Sequence, residues 1–172
     1  ENRQGQTLAA TARALLKTMR PKQWVKNVVV FAPLVFDGKL FDPALLFQTP
    51  LAFGLFCLIS SAVYLINDLS DIEKDRLHPK KRTRPLPAGE LSPTVAVAAA
   101  VALIVGSIPL ALWLDGGFFL ILFGYLGLMI AYSFYLKNLV VIDVLVIAAG
   151  FVLRVAGGVA VVDVERFSPW LY

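Results

Sequence analysis

Charge, cysteine and histidine are all scarce in this sequence. Asp, Glu, Lys and Arg make up 16% of its 172 residues, whereas a soluble domain carries about 25%. The single cysteine, Cys57, excludes a disulfide framework and is interpreted as a small apolar core residue. The single histidine, His78, fits a loop hydrogen-bonding residue better than a metal ligand. The net charge of +4 would favour a nucleic-acid partner in a soluble protein, but in so apolar a chain it indicates anchoring at a membrane and no nucleic acid.

Long apolar runs occupy most of the chain. A membrane-spanning helix needs about 20 mostly apolar residues. Four runs reach this length: 43–66, 91–114, 117–136 and 139–162. A shorter apolar stretch, 28–36, becomes long enough if Trp24 is included and Lys26 reaches the membrane interface. We therefore predict an all-α, polytopic membrane helix bundle with about five transmembrane helices.

Lys and Arg fall almost entirely on one side of these runs. Of the 16 Lys and Arg residues, Arg154 lies inside the last run and only Lys39 and Arg166 fall on the far side, which leaves 13 on the side of the N-terminus. Because cytoplasmic segments carry an excess of Lys and Arg, we predict that the N-terminus and residues 68–90 are cytoplasmic. Residues 7–19 resemble a short amphipathic helix on the inner membrane surface, ending before Pro21.

An acidic stretch, NDLSDIEKDR, closes the second run at residues 67–76. If the helix continues through residue 76, Asp71 lies about 60° and Asp75 about 20° around the axis from Asp68. Asn67 falls on the neighbouring edge, and Glu73 falls on the opposite side. Three carboxylates and an amide on one face suit Mg²⁺, which takes one or two carboxylates together with substrate phosphates.

The alternative for this stretch is a solvated loop in which Lys74 and Arg76 neutralise the acids. The basic loop that follows, HPKKRTRPLPAG at 78–89, favours a site instead. A diphosphate needs a metal to bridge its oxygens and Lys or Arg to neutralise its remaining charge. Anchoring to the membrane surface is the alternative explanation of the basic loop.

The motif N-D-x-x-D-x-x-x-D after an apolar run, followed by a basic loop that ends RPLPAGELS, resembles the UbiA-type membrane prenyltransferase superfamily. Three stretches are similar to its decaprenyl-phosphate phosphoribosyltransferase branch: RPKQWVKN (20–27), DRLHPKKRTRPLPAG (75–89) and YSFYLKNLVVIDVLVIAAGFVLRVAGG (132–158). The resemblance implies a bundle of about nine membrane helices around a central cavity. Residues 1–19 would be the interfacial segment and residues 20–172 the N-terminal part of that bundle.

The resemblance also implies an activity. It is the Mg²⁺-dependent transfer of 5-phosphoribosyl from phosphoribosyl diphosphate to a polyprenyl (decaprenyl) phosphate, a pentosyltransferase reaction at the cytoplasmic face of a bacterial-type plasma membrane. The product would serve lipid-linked pentose and cell-wall polysaccharide synthesis. A second aspartate-rich motif, which the resemblance places beyond Tyr172, does not occur in this sequence. We therefore expect the chain alone to be an incomplete enzyme.

Two alternatives to this activity stay open. A UbiA-type prenyltransferase would move a polyprenyl group from its diphosphate to an aromatic acceptor. A membrane scaffold or lipid-binding protein would share the spans and the basic surface, but it would not need an aspartate ladder on one helix face. Membrane lipids are partners in every case, and the prenyl chain length and a homo-oligomeric state are left undecided.

The candidate site residues form three groups. The predicted metal ligands are Asn67, Asp68, Asp71 and Asp75. The predicted catalytic residues are Asp68, Asp71, Asp75 and Asp143. The predicted substrate-binding residues are Lys22, Lys26, Asn67, Lys74, Arg76, Arg82, Arg84, Tyr132 and Lys137.

Two ionisable residues within the last run need separate treatment, because intramembrane charges are functional candidates. Asp143 and Arg154 are eleven residues apart, so on one helix they share a face within about 20° but lie about 16 Å apart. They cannot pair with each other. Asp143 follows closely after Lys137 in the sequence and is assigned to the site. For Arg154, a carboxylate on another helix and an interhelix hydrogen bond are equally open.

Overall fold

The computed structural model describes residues 8–164, apart from the side chains of Asn138 and Val140. Arg3 and Arg166, which enter the charge count above, lie outside the described residues. The described chain is helical and contains no strand, which confirms the predicted all-α class. Its α-helices are α1 (Leu8–Met19), α2 (Ala32–Phe36), α3 (Pro43–Ser70), α4 (Ile72–Leu77), α5 (Pro93–Leu114), α6 (Gly116–Phe134) and α7 (Val140–Val162), and its 3₁₀ helices are Pro21–Phe31, Lys81–Thr83 and Leu136–Asn138.

Four of these helices, α3, α5, α6 and α7, are long and apolar enough to cross a membrane. Side-chain caps fix where three of them begin, because Asp42, Ser92 and Asp115 accept hydrogen bonds from the first backbone N–H groups of α3, α5 and α6. The α3 helix is central and packs against the other three. In the most apolar stretch of α3, 61% is buried inside the protein. The corresponding shares for α5, α6 and α7 are 22%, 28% and 33%.

The predicted first span is not a membrane-length α-helix. Residues 21–36, here called the thin segment, form an 11-residue 3₁₀ helix followed by the 5-residue α2. A 3₁₀ helix rises about 2.0 Å per residue and an α-helix about 1.5 Å, so the thin segment reaches about 30 Å, the thickness of a hydrocarbon core. It runs the length of the bundle, because Arg20 contacts Asp68 at one end and Lys39 contacts the Asp163 carbonyl at the other.

Two adjacent glycines let the thin segment approach α7. A Cβ atom at Gly158 would collide with the carbonyl oxygen of Val30, and one at Gly157 would lie 2.6 Å from the Phe56 ring. The Phe56 ring in turn meets Phe118 and Tyr125 edge-on, with both centroid distances at 5.7 Å. Such pairs contribute about 1 kcal/mol each beyond their burial. The aromatic core thus joins α3 to α6 and, through the glycines, to α7.

A second apolar cluster holds the polar loops in place at one end. Ala14 of α1 packs with Ala62 and Leu65 of α3 and with Leu86 and Leu91 of the loop before α5. The predicted N-terminal helix is therefore present as α1 and is attached to the bundle, while its position on a membrane surface stays a prediction. We call the end where α1, the C-terminus of α3 and the loop 78–91 meet the polar end.

The acidic stretch is not one continuous helix, contrary to the sequence prediction. The α3 helix ends at Ser70, Asp71 has φ −105° and ψ 5°, and α4 begins at Ile72. The backbone still closes helix-like hydrogen bonds across the break, from Asp71 N to the Asn67 carbonyl and from Asp75 N to the Asp71 carbonyl. The angular phase of the side chains is therefore largely kept.

Candidate functional site

A cavity of about 370 Å³ opens at the polar end, within the size range of small-molecule sites. Its wall is strongly cationic, with six Lys and Arg side chains against one carboxylate, that of Asp71. The six cations are Arg20, Lys26, Lys81, Arg84, Lys137 and Arg154. Asn67, three tyrosines, two serines and several apolar side chains complete the wall. Such a lining suits a ligand that carries several negative charges.

Asp68 and Asp75 are buried and share one arginine. The Nη1 atom of Arg84 lies 2.7 Å from Oδ2 of Asp75 and 3.3 Å from Oδ1 of Asp68. The Nη2 atom of Arg20 lies 2.6 Å from the same oxygen of Asp68, and Lys81 approaches Asp75 at 3.8 Å. Buried carboxylates need such partners, because an unpaired buried charge is costly. The pairs also aim Arg20 and Arg84 at the cavity that both residues line.

Asp71 pairs with a different cation. The Nζ atom of Lys137 lies 2.7 Å from both carboxylate oxygens of Asp71. Lys137 follows α6 in the 3₁₀ turn Leu136–Asn138, so this pair connects the end of α3 to the α6–α7 connection. Both side chains line the cavity. Asp71 is therefore the carboxylate that a ligand in the cavity meets directly.

Tyr132 and Asp143 connect α6 to α7 beside the cavity. The hydroxyl of Tyr132 donates to Oδ1 of Asp143 at 2.6 Å. Tyr132 lines the cavity, whereas Asp143 stands behind it. The eleven-residue spacing from Asp143 places Arg154 deeper in the bundle, as the sequence predicts.

Arg154 is 7% exposed and forms hydrogen bonds to three elements. Its Nε donates to Oδ1 of Asn27 at 2.6 Å, its Nη1 to the Gly150 carbonyl at 2.7 Å and its Nη2 to the Tyr125 hydroxyl at 2.8 Å. Its guanidinium carbon also lies 4.7 Å from the centroid of the Tyr125 ring. Of the two alternatives, the interhelix hydrogen bond is the one present among the described residues.

The backbone of Arg20 is strained. Its φ of 53° and ψ of 60° are left-handed, an uncommon conformation for a residue other than glycine and one that the following Pro21 does not favour. The ion pair with Asp68 and the stacking of its guanidinium on Tyr64, at 4.8 Å, hold the residue there. Strain of this kind often accompanies a functional position.

The predicted site residues separate into three sets. Lys26, Asn67, Asp71, Arg84, Tyr132 and Lys137 line the cavity, and Asp68, Asp75 and Asp143 stand one contact behind it. The remaining four are exposed and do not line the cavity, so their assignment as substrate-binding residues stays a prediction: Lys22, Lys74, Arg76 and Arg82. Arg76 instead pairs with Glu73 at 2.7 Å.

Residues 28–172 match the model of the UbiA prenyltransferase family. The chain belongs to this family. It is 41% identical, over 85% of its length, to the decaprenyl-phosphate phosphoribosyltransferase of Mycolicibacterium smegmatis, and 42% identical, over 93% of its length, to that of Corynebacterium glutamicum. It covers 48% and 50% of those two proteins, so it spans about half the length of the relatives it matches.

The fold is also that of solved UbiA structures. A UbiA homologue from Archaeoglobus fulgidus, bound to DMAPP and Mg²⁺, superposes with a TM-score of 0.74 at 24% identity, over 90% of this chain and 56% of that one. Membership of the UbiA family and the four apolar helices together indicate an integral membrane protein. The predicted resemblance to the superfamily and to its phosphoribosyltransferase branch is confirmed at this level.

The oxygen donors of this UbiA chain fit a magnesium ion that is bound together with a phosphate. Asn67 and Asp71 stand on the cavity wall, with Asp68 and Asp75 behind them. Within the part of the chain that the structure describes, no group of three or more His, Cys, Asp or Glu side chains could hold a metal by itself. Mg²⁺ normally takes only one or two carboxylates and completes its shell with water and substrate phosphates. The donor set suits that mode rather than a metal enclosed by protein.

Sequence reasoning missed Arg20 and Lys81 as cavity residues. Arg20 belongs to the stretch 20–27 and Lys81 to the basic loop 78–89, but neither is among the predicted site residues. For Arg20 a signal was present, since an Arg-Pro pair begins the apolar stretch and the thin segment starts there. For Lys81 the sequence offers no signal that separates it from its neighbours Lys80 and Arg82, which do not line the cavity.

Proposed function

We propose that this chain is the N-terminal part of a transferase that moves 5-phosphoribosyl from phosphoribosyl diphosphate to a polyprenyl (decaprenyl) phosphate at the cytoplasmic membrane face. The observation that carries the proposal is the excess of six cations over one carboxylate around a single cavity. The donor brings a diphosphate and a 5-phosphate, and the acceptor brings a further phosphate. The names of the relatives from Mycolicibacterium smegmatis and Corynebacterium glutamicum support the same reaction.

The residues at the polar end fit the charges that this reaction develops. When diphosphate leaves the anomeric carbon, positive charge builds on the ribose and negative charge on the leaving group. Arg20, Arg84 and Lys137 line the cavity where they can stabilise the leaving charge. The acceptor phosphate is already an anion, so positioning by cations replaces a general base. Asp68 and Asp75 hold the two arginines in place, and Asp143 holds Tyr132.

Mg²⁺ is the proposed cofactor. Asn67 and Asp71 would hold it from the cavity wall, with Asp68 and Asp75 on the same oxygen-rich face. When bound, the ion acts as a Lewis acid on the phosphate oxygens of the leaving group. The product, a lipid-linked phosphoribose, would feed lipid-linked pentose and cell-wall polysaccharide synthesis.

The second candidate is prenyl transfer to an aromatic acceptor. The fold shared with the DMAPP-bound homologue favours it. A prenyl diphosphate carries a single charged group, however, and an aromatic acid adds at most one more. The cationic wall, which extends as far as Arg154, exceeds what that pair of substrates needs.

A transfer assay on the full-length protein separates these reactions. The purified protein is given radiolabelled phosphoribosyl diphosphate with decaprenyl phosphate, or a polyprenyl diphosphate with an aromatic acid. We expect label in a lipid-extractable product in the first case only, and its loss on addition of EDTA. Prenylation of the aromatic acid, without phosphoribosyl transfer, would favour the second candidate. If neither product forms, the lipid-binding or scaffold alternative gains support.

The proposed orientation has its own test. In a Cys57→Ala background, a single cysteine is placed at Lys39 or at Lys80, and intact cells are treated with a membrane-impermeant maleimide. We expect Lys39→Cys to be labelled from outside and Lys80→Cys to be labelled only after the cells are opened. Labelling of Lys80→Cys in intact cells contradicts a cytoplasmic loop 68–90.

A further inference from the structure

Arg154 lies in the same cavity as the polar end but deeper in the bundle. Its partner Asn27 also donates to Ser60 Oγ at 3.1 Å. Ser60 precedes Asp68 by eight residues on α3, which is about 12 Å along the helix axis. The cavity therefore has cations at two levels, one around Arg20, Arg84 and Lys137 and one at Arg154.

The charge of Arg154 is not neutralised by the described part of the chain. Its hydrogen-bond acceptors are an amide oxygen, a backbone carbonyl and a hydroxyl, all of them neutral. No ion pair joins it to a carboxylate among the described residues, although each aspartate of the polar end has one. A buried cation whose hydrogen-bond acceptors and aromatic neighbours, Tyr125 and Phe151, are all neutral is suited to bind an anionic ligand from the cavity that it lines.

The hydrogen bonds leave a specific pair of donors unused. A guanidinium has five N–H groups. The three bonds use the Nε group and one group on each of Nη1 and Nη2. One N–H therefore remains on each terminal nitrogen without an acceptor among the described residues, and a guanidinium can use a pair of N–H groups to bind two oxygens of one phosphate.

The surroundings hold this guanidinium rigidly. Asn27, which orients Nε, is itself fixed by Ser60 and by Cys57 Sγ at 3.3 Å. Gly150 leaves room for Nη1, since a Cβ atom there would lie 3.3 Å from it. Little conformational entropy is then lost when an anion binds, which favours affinity.

We propose that Arg154, positioned by Asn27 and Tyr125, is a second anion subsite that binds a phosphate monoester group of a substrate. This rests on the proposed function and adds to it a division of labour. The polar end takes the diphosphate, and the inner subsite takes one further phosphate. That phosphate belongs either to the sugar, as the 5-phosphate of the donor, or to the lipid acceptor.

Direct binding to the full-length protein in detergent tests the proposal without turnover. The probes are ribose 5-phosphate, decaprenyl phosphate and inorganic diphosphate. We expect Arg154→Gln to lower the affinity for ribose 5-phosphate or for decaprenyl phosphate by about 10- to 100-fold, as for loss of hydrogen bonds to a charged group. The affinity for inorganic diphosphate should stay unchanged. The ligand whose affinity falls shows whether the inner subsite binds the phosphate of the sugar or that of the lipid.

Two further variants control this measurement. Arg13→Gln makes the same change at an exposed arginine of α1 and should leave all three affinities unchanged. Lys137→Gln should lower the affinity for diphosphate and leave the affinity for the ligand that depends on Arg154 unchanged. If Arg154→Gln does not reach the membrane folded, Arg154→Lys keeps the charge but loses the paired donors, and it should weaken the same ligand by about 10-fold.

Two results would overturn the subsite. In one, all three affinities are unchanged in Arg154→Gln or Arg154→Lys, so the arginine serves only packing or a carboxylate elsewhere in the protein. In the other, diphosphate weakens as much as the monoesters, so there is no separate subsite. Because none of these measurements requires transfer, a wild-type protein that binds the probes but forms no product would refute the proposed function alone.

Discussion

The polar end and the inner arginine are two buried charged regions that solve the same problem differently. At the polar end every aspartate of the acidic stretch has a cationic partner within the described chain, at 2.6 to 2.7 Å. Around Arg154 the partners are neutral. In the first region every one of these carboxylates is paired with a cation, whereas in the second a cation stands without a carboxylate among the described residues. We infer that the aspartates of the polar end position its cations, whereas Arg154 is available to bind an anion.

The contrast has consequences for mutation. Removing one member of a buried ion pair leaves an uncompensated charge, which is strongly destabilising. Removing Arg154 leaves only neutral groups without a partner, which costs less. Substitutions at the polar end should therefore lower both stability and activity, and Arg154 substitutions should mainly lower ligand affinity.

The largest effect is expected at the aspartates themselves. Asp68→Ala releases Arg20 and Arg84, and Asp71→Ala removes the one carboxylate on the cavity wall. We expect each to lower phosphoribosyl transfer by the full-length protein at least about 100-fold, as for loss of a preorganised electrostatic group. Glu73→Ala is the control, because Glu73 is 81% exposed and contacts Arg76 on the outer side. Equal losses in all three variants would show that the overall charge of the stretch matters, not its cavity face.

The next effect is on stability, at the arginine shared by Asp68 and Asp75. Arg84→Gln should cost about 3 kcal/mol, the lower end of the range for broken buried pairs, because the Arg84 side chain is 30% exposed. Arg82→Gln, two residues away and exposed, should cost less than about 0.5 kcal/mol. The measurement is thermal or denaturant unfolding in detergent. The triple variant Arg84→Gln, Asp68→Asn, Asp75→Asn should recover most of the loss, and failure to recover would mean that Arg84 acts through packing.

Hydrophobic periodicity and composition predict much of this architecture. They do not predict the contacts between residues that are distant in the sequence. The four long helices can be predicted because a run of about 20 apolar residues is typical of a membrane-spanning helix and not of a soluble domain. The shared face of Asp68 and Asp75 follows from the helical repeat, and it survives the break at Asp71 because the backbone bonds continue across it. The cations on that face come from 48 residues before Asp68 and 16 residues after it, and no local pattern selects them.

The thin segment shows how a short apolar stretch can still reach along the bundle. A count based on α-helical rise finds residues 28–36 too short, but a 3₁₀ helix covers the same distance with fewer residues. This long 3₁₀ helix packs closely against α7, where the Val30 carbonyl meets Gly158. The two residues are more than 120 positions apart in the chain. The two glycines were within the stretch that carries the family resemblance, yet their packing role needed the structure.

That close approach gives the third prediction. Gly158→Ala should push Val30 and the thin segment away from α7 at a cost of about 1 to 3 kcal/mol, as for overpacking in a core. Gly124→Ala is the matched control within α6, because its added Cβ would meet nothing within 4 Å. Unfolding in detergent measures both. Because Asn27 lies on the thin segment, Gly158→Ala should also weaken monoester binding at Arg154 and leave diphosphate binding intact. An equal loss of both would contradict the separation of the two regions.

The smallest effect concerns salt. Asp71 and Lys137 are 16% and 17% exposed, so their ion pair is open to screening. A double-mutant cycle with Asp71→Asn and Lys137→Gln should give a coupling of about 1 kcal/mol at low ionic strength, falling as salt is raised towards 1 M. The parallel cycle with Tyr125→Phe and Arg154→Gln measures a hydrogen bond to an arginine that is 7% exposed. Its coupling, also about 1 kcal/mol, should not change with salt. Two couplings that fall together would mean that ions reach both levels of the cavity equally, and the polar end and the inner arginine would then be one electrostatic region instead of two.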